Sequence, residues 1–310
     1  MSSDIESSPE TPYERLSSLM AWQLAAPHTW PAAIMPTLVG TACAMAVTGT
    51  RIMPAMAWLL LVICILMQAS VNTFNDYFDY VKGTDTADDN VEASDSVLVY
   101  NHVNPKAALA LAIGFLGAAF LLGLYVIYRA GFIPLAIALV GAVIVVAYSG
   151  GKTPVSYLPI GEAVSGIVMG GLIPLAVYQV LTGQLQFLAL VWAVPTIIGV
   201  GLIMMTNNTC DIEKDVEAGR RTLPVLLGRK RARALYHGLL IAWVVAIIAI
   251  VLVWFRTGAG VLPFMVLACY PLIRGLWLNP LAPPARIGAM GQICSVNVAL
   301  GAFYAAALFL

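Results

Sequence analysis

The chain has 310 residues, 60% of them hydrophobic and only 10% charged, with a mean hydropathy of +0.87. Soluble globular chains are about 45–50% apolar, so this composition indicates an integral membrane protein. At about 20 residues per span, the length admits roughly eight to ten spans. Lys and Arg (16) balance Asp and Glu (16), and no basic face stands out of the kind a nucleic-acid binder requires.

Residues 1–27 form a polar N-terminal segment carrying Asp4, Glu6, Glu10, Glu14 and Arg15. It lacks the basic start and short apolar core of a signal peptide. From residue 28 to 310 the pattern is that of a single transmembrane domain. The apolar runs predict nine spans, at about 29–48, 54–76, 106–128, 131–148, 160–181, 187–208, 232–255, 259–278 and 286–309. Pro31, Pro54, Pro105, Pro159, Pro263 and Pro284 punctuate their ends, where proline suits the first helical turn. The expected fold is all-α: a polytopic bundle of about nine transmembrane helices. Cys43, Cys64, Cys269 and Cys294 lie in apolar runs without metal-ligand spacing and read as small buried hydrophobes.

Charge distribution sets the orientation. With nine spans, Arg51, Arg129 and Arg256 are the only ones of the 16 Lys and Arg on one side. The positive-inside rule therefore places the N-terminus and the even-numbered loops in the cytoplasm and the C-terminus opposite. The 16 Asp and Glu fall on the same cytoplasmic side. Acids do not set topology, so their segregation marks the face that carries chemistry. Two cytoplasmic loops are elaborated, at about 77–105 and 209–231.

Each elaborated loop begins with an aspartate motif at the mouth of a span. In the first, Asn72, Asn75, Asp76 and Asp79 are followed by Asp85. On a helix, Asn72, Asp76 and Asp79 share one face at i, i+4 and i+7. In the second, Asn207, Asn208, Asp211 and Asp215 precede Arg220 and Arg221, and Asn208, Asp211 and Asp215 share a face. A spacing of 135 relates Asn72 to Asn207 and Asp76 to Asp211, a faint echo of two similar halves. Ionised aspartate at membrane depth is costly without a purpose. Two pairs of carboxylates at two helix ends suit two Mg²⁺ ions, which take a few carboxylates and complete their shell with phosphate oxygens and water. Lys152, Arg220 and Arg221 are then candidates to hold the remainder of a diphosphate. Tyr148, in the Tyr148–Pro154 stretch with Lys152, is a candidate to face an aromatic substrate or a carbocation. Arg229, Lys230, Arg231 and Arg233 read as a topogenic, lipid-facing basic patch.

NDYFDYVKGTDT at 75–86, YSGGKTP at 148–154 and DIEKDVEAGRRTLPVLLGRKRAR at 211–233 resemble the UbiA superfamily of intramembrane prenyltransferases. The branch they are most similar to is the 1,4-dihydroxy-2-naphthoate polyprenyltransferases of menaquinone synthesis. The resemblance runs from about Trp22 to the end of the chain. It implies Mg²⁺-dependent transfer of a polyprenyl group from polyprenyl diphosphate to an aromatic acceptor, with the ring carboxylate lost as CO₂ in the naphthoate branch. It implies Asp76, Asp79, Asp211 and Asp215 as metal-binding catalytic residues. The implied substrate contacts are Asn72, Asn75, Asp85, Tyr148, Lys152, Asn207, Asn208, Arg220 and Arg221. Membrane lipid would surround the prenyl tail. The chain departs from the family pattern at two places: Ala26-Pro27-His28 stands where the family has Arg-Pro, and 96–106 lacks the arginine that follows the first motif. The alternatives are transfer to 4-hydroxybenzoate or homogentisate, or ion-coupled transport. Transport calls for ionisable residues at mid-membrane, whereas the acids here gather at one face.

Overall fold

The structure, a computed structural model, describes residues 13–49, 53–83, 97–149 and 153–310. Asp85 and Lys152 lie outside the described residues. Apart from one isolated bridge between Glu14 and Val103, the described chain is helical.

Seven of the described helical segments are long and apolar enough to cross a membrane: Pro31–Thr48, Pro54–Val81, Pro105–Ala130, Gly161–Thr182, Leu223–Trp254, Arg256–Leu278 and Pro283–Phe309. The two other expected spans correspond to shorter apolar helices, Ile133–Ser149 and Val194–Cys210, of 17 residues each. At 1.5 Å per residue each is about 25 Å long. The run at 187–208 divides because Pro195 opens a new helix directly after the short Leu188–Trp192 helix. Proline fits that first turn and cannot continue a preceding one.

Val194–Cys210 is the central element. It packs against Gly161–Thr182, Leu223–Trp254, Arg286–Phe309 and Pro31–Thr48, and most of the buried apolar side chains join one cluster around these helices. The closest approach is made by glycine. A Cβ on Gly170 would lie 2.4 Å from the Thr196 carbonyl oxygen, and one on Gly166 would lie 2.6 Å from that of Ile197. The same stretch, Gly166–Leu172, winds as a π-helical turn, and Thr196 Oγ1 donates to the Gly170 carbonyl at 2.6 Å. This tight seam fixes the register between the two helices, and through it the position of Glu162 beside Asn208. By contrast, Pro105–Ala130 packs on Pro54–Lys82 and exposes Phe120, Leu121 and Tyr128, as a lipid-facing helix does.

Two helices overrun the expected boundaries, and both overruns shape the site. Pro54–Lys82 continues past residue 76 to a left-handed Gly83 cap (φ 67°), so Asp79 stays on the same rigid helix as Asn72 and Asp76. Leu223–Trp254 starts at 223 rather than 232 and breaks its geometry at Gly228 (φ 72°, ψ 152°), a conformation glycine adopts without steric cost. Ahead of the bundle, Ser17 caps the short Ser18–Leu24 helix. Tyr13 stacks on His102 at 4.8 Å, and Glu14 N–H donates to the His102 carbonyl at 3.1 Å.

Candidate active site

The first motif presents its side chains from one helical face. The Asp76 Oδ2 accepts from Val97 N–H at 3.1 Å, so the start of the Val97–Asn101 helix closes over that carboxylate. One turn earlier, Asn72 anchors an amide relay. Its Nδ2 donates to the Ala25 carbonyl and to Thr29 Oγ1, both at 2.9 Å, and its Oδ1 accepts from Gln68 Nε2 at 3.0 Å. A backbone carbonyl only accepts, so Ala25 fixes the orientation of Asn72, and Asn72 fixes that of Gln68. The relay leaves Gln68 Oε1 buried without a hydrogen-bond partner among the described residues.

The second motif is split by a helix break. Asn207 and Asn208 close Val194–Cys210, Asp211 stands at the junction, and Asp215 lies on the Ile212–Glu217 helix. Arg286, the first residue of the last long helix, holds this corner. Its Nε is 3.0 Å from Asp211 Oδ1, and its Nη2 donates to Asn207 Oδ1 at 2.6 Å. Asp215 accepts from Thr222 Oγ1 at 3.0 Å. Arg220 joins the two motifs: its guanidinium lies 3.4 Å from Asp79 and 3.7 Å from Asp215, over the Tyr157 ring at 4.9 Å.

Burial raises the Asp215 carboxyl to about 6, against the opposing pull of Arg220 and Thr222. Burial also raises Asp211, against Arg286. Burial disfavours the charged form of Arg220, but Asp79 and Asp215 outweigh it and hold the guanidinium above its usual range.

Between the two motifs lies a cavity of about 270 Å³. Asn72, Asn75, Asp76 and Asp79 line one wall, and Asn207 and Arg286 line another, with Tyr148, His28 and Thr29 between them. Val168, Met169, Val200, Ile203 and Met204 supply an apolar surface. Neither Asp211 nor Asp215 lines it: Asp211 is held by Arg286, which does, and Asp215 by Arg220, which reaches the lining Asp79. Asn208 turns away: its Nδ2 donates to Glu162 Oε1 at 2.8 Å. Arg221 is exposed, and its backbone N–H donates to the Tyr157 carbonyl at 2.8 Å.

Sequence reading passed over Arg286, Glu162 and Tyr157 as site residues, because each comes from a distant segment at no spacing related to the motifs. It passed over Thr222, seven residues after Asp215, because a lone threonine beside two arginines carries no signal of its own. The basic run divides as well. Arg229 donates to both Glu213 oxygens and to the Leu281 and Thr209 carbonyls. Arg233 donates to the Asn279 carbonyl. These two side chains fasten loops together rather than standing free in lipid.

A family model for the UbiA prenyltransferase family matches residues 33–290. The chain belongs to the UbiA prenyltransferase family. It is 33% identical over 294 residues to a 1,4-dihydroxy-2-naphthoate octaprenyltransferase of Bacillus subtilis, covering 94% of this chain and 92% of that one. It is 30% identical over 286 residues to the enzyme of the same name from Mycobacterium tuberculosis, covering 89% and 90%. Among solved structures, a UbiA homolog from Archaeoglobus fulgidus bound to DMAPP and Mg²⁺ shares the fold. Its TM-score is 0.60 at 17% identity, covering 92% of this chain and 98% of that chain. The protein is therefore a multi-pass membrane prenyltransferase.

The donor set fits the divalent cation that such an enzyme implies. Among the described residues no three His, Cys, Asp or Glu side chains gather to hold a metal alone. Each motif instead offers two carboxylates with asparagine amides nearby. That suits Mg²⁺, which takes one or two carboxylates and completes its octahedron with substrate phosphate oxygens and water.

Proposed function

We propose that this UbiA-family protein transfers a polyprenyl group from polyprenyl diphosphate to 1,4-dihydroxy-2-naphthoate, with loss of the ring carboxylate as CO₂. The observation that carries this reading is one cavity with an apolar side, lined by Asp76 and Asp79 of the first motif and by Asn207 of the second, 135 residues after Asn72, with Asp211 held by the lining Arg286. The names of the relatives from Bacillus subtilis and Mycobacterium tuberculosis support the choice of acceptor. Residues 28–310 act as one transmembrane domain, with 1–27 as a polar lead-in and the site on the cytoplasmic face.

In this reading Asp76, Asp79, Asp211 and Asp215 would hold Mg²⁺, which when bound would neutralise charge developing on the departing diphosphate. Arg220 contacts the diphosphate, Arg221 lies further out, and Asn75 and Asn207 line the polar end; a diphosphate role is also proposed for Lys152 and Asp85, which lie outside the described residues. Asn208 supports the second motif from behind, through Glu162. The allylic C–O bond breaks as a C–C bond forms to the electron-rich ring, and the diphosphate and CO₂ leave. Val168, Met169, Val200 and Ile203 keep water from the electron-poor prenyl carbon, and Tyr148 faces it. The Asn72–Gln68 relay presents an oxygen that accepts a hydrogen bond, which matches a ring hydroxyl of the acceptor.

The test uses membranes containing the protein, radiolabelled prenyl diphosphates and a panel of aromatic acceptors, with and without Mg²⁺. The expected result is a prenylated, decarboxylated product from the dihydroxynaphthoate only when Mg²⁺ is present. Product from 4-hydroxybenzoate or homogentisate alone would move the acceptor assignment. No product with any acceptor would overturn the transferase reading for this protein.

A further inference from the structure

Arg286 occupies the place where a cation is required and another cation is expected. Its side chain is 11% exposed, as buried as the Asp211 it holds at 12%. Nε lies 3.0 Å from one Asp211 oxygen and 3.1 Å from the other, and Nη2 lies 2.6 Å from Asn207 Oδ1. Among the described residues that line the cavity, it is the sole guanidinium. Position 26 is alanine, and 97–106 contains no arginine, so that side of the cavity supplies none.

A carboxylate this buried is costly without a counter-ion. Arg286 meets that need, but it does so on the same Asp211 oxygens that a divalent cation would use. A divalent cation held there would draw on the same carboxylate charge and would loosen the guanidinium. Its planar fork then faces a cavity in which a diphosphate would sit, and guanidinium groups bind phosphate oxygens bidentately.

We infer that Arg286 is a diphosphate-binding residue that serves as the stand-in cation of the second aspartate motif. It holds Asp211 and Asn207 while the metal is absent and transfers to a phosphate oxygen when a magnesium diphosphate enters. The inference rests on the transferase reading above and adds to it a residue that neither motif contains. No covalent step is involved; one ion pair is exchanged for another.

The test measures binding rather than turnover. Full-length protein in detergent micelles is titrated calorimetrically with Mg²⁺ alone, and then with inorganic pyrophosphate at saturating Mg²⁺. Arg286→Gln removes the competing charge, so it binds Mg²⁺ alone about tenfold more tightly and pyrophosphate about tenfold more weakly. Arg286→Lys keeps the charge but not the fork, so its Mg²⁺ affinity stays near wild type while pyrophosphate binding weakens. If the glutamine variant does not survive extraction, the lysine variant carries the test by that split. A merely structural Arg286 would weaken both ligands together, and that result overturns the inference. So does unchanged pyrophosphate binding in both variants. If the wild-type protein itself shows no Mg²⁺-dependent pyrophosphate binding, the transferase reading fails and this inference fails with it.

Discussion

The two aspartate motifs carry the same residue types in different settings, with Arg220 shared between Asp79 and Asp215. Asp76 and Asp79 stand on one unbroken helix and line the cavity directly. Asp211 and Asp215 straddle a helix break and do not line it, each held against an arginine. The side chain of Asp79 is 33% exposed and that of Asp215 only 3%. A carboxylate on a cavity wall is solvated by whatever fills the cavity, whereas one buried off the wall must be given a counter-ion by the fold. The first motif therefore meets the cavity directly and shares one arginine, Arg220 through Asp79, whereas the second is held by two, Arg220 and Arg286.

The largest expected effect tests whether both settings serve one reaction. Asp76→Asn and Asp211→Asn should each lower Mg²⁺-dependent prenyl transfer by on the order of 10²–10³-fold, the scale of losing one electrostatic stabiliser of a developing charge. They should differ in stability. Asp211→Asn leaves Arg286 facing two amides, so its melting temperature falls, while Asp76→Asn retains a group that can accept from Val97 N–H. Wild-type rates in either variant would remove that motif from the metal site.

Arg220 is the residue that touches both motifs, and its removal is the next largest effect. Arg220→Met leaves Asp79 and Asp215 without their shared cation. Because Asp79 is a third exposed and Arg220 partly so, although Asp215 is buried, the cost is roughly 1–3 kcal/mol rather than the larger figure for a fully buried pair. Mg²⁺ supplies the missing charge, so it should raise the melting temperature of this variant more than that of wild type, by mass action on the folded state. Equal Mg²⁺ shifts in the two proteins would show that Arg220 is not standing in for a cation.

This contrast was half legible in the sequence. Helical periodicity put Asn72, Asp76 and Asp79 on one face, and the structure keeps them there because Pro54–Lys82 runs on past its apolar part to the Gly83 cap. The second motif read equally well as a single helical face, but the chain breaks at Asp211, and no residue there announces a break. Arg286 lies 75 residues beyond Asp211 and was visible only as one of many topogenic charges. Glu162 belongs to no motif, and it is the glycine seam at Gly166 and Gly170 that sets it against Asn208. Local spacing reports on one helix at a time. Pairings between helices depend on packing, which this sequence encodes in small residues that carry no chemical label.

A smaller effect probes the far side of the first motif. Gln68→Leu removes the unpartnered oxygen of the amide relay. The wild-type protein should prefer a dihydroxy acceptor over its mono-methyl ether by about tenfold, the scale of one hydrogen bond, and the variant should lose that preference. The KM for prenyl diphosphate should stay unchanged. Retained discrimination in Gln68→Leu would place the ring hydroxyl elsewhere.

The smallest effect belongs to an ion pair next to the second motif but outside the cavity. Glu213 meets Arg229 at 2.6 Å, yet the Glu213 side chain is 56% exposed. The hydrogen bond from Arg229 holds its carboxyl below the usual glutamate range. The folded value is depressed, so the pair's stabilisation is present above the unfolded value near 4.3 and disappears as pH falls through the folded one. At neutral pH Glu213→Gln should cost about 0.2–1 kcal/mol, the range for exposed pairs, and high salt should erase most of that difference. Arg229→Gln should cost more, because Arg229 also donates to the Leu281 and Thr209 carbonyls, and those bonds do not depend on Glu213. Melting curves of the two variants between pH 3 and 7 separate the contributions. If both variants match at pH 7, Arg229 acts only as the partner of Glu213, and the loop behind the second motif is held by something else.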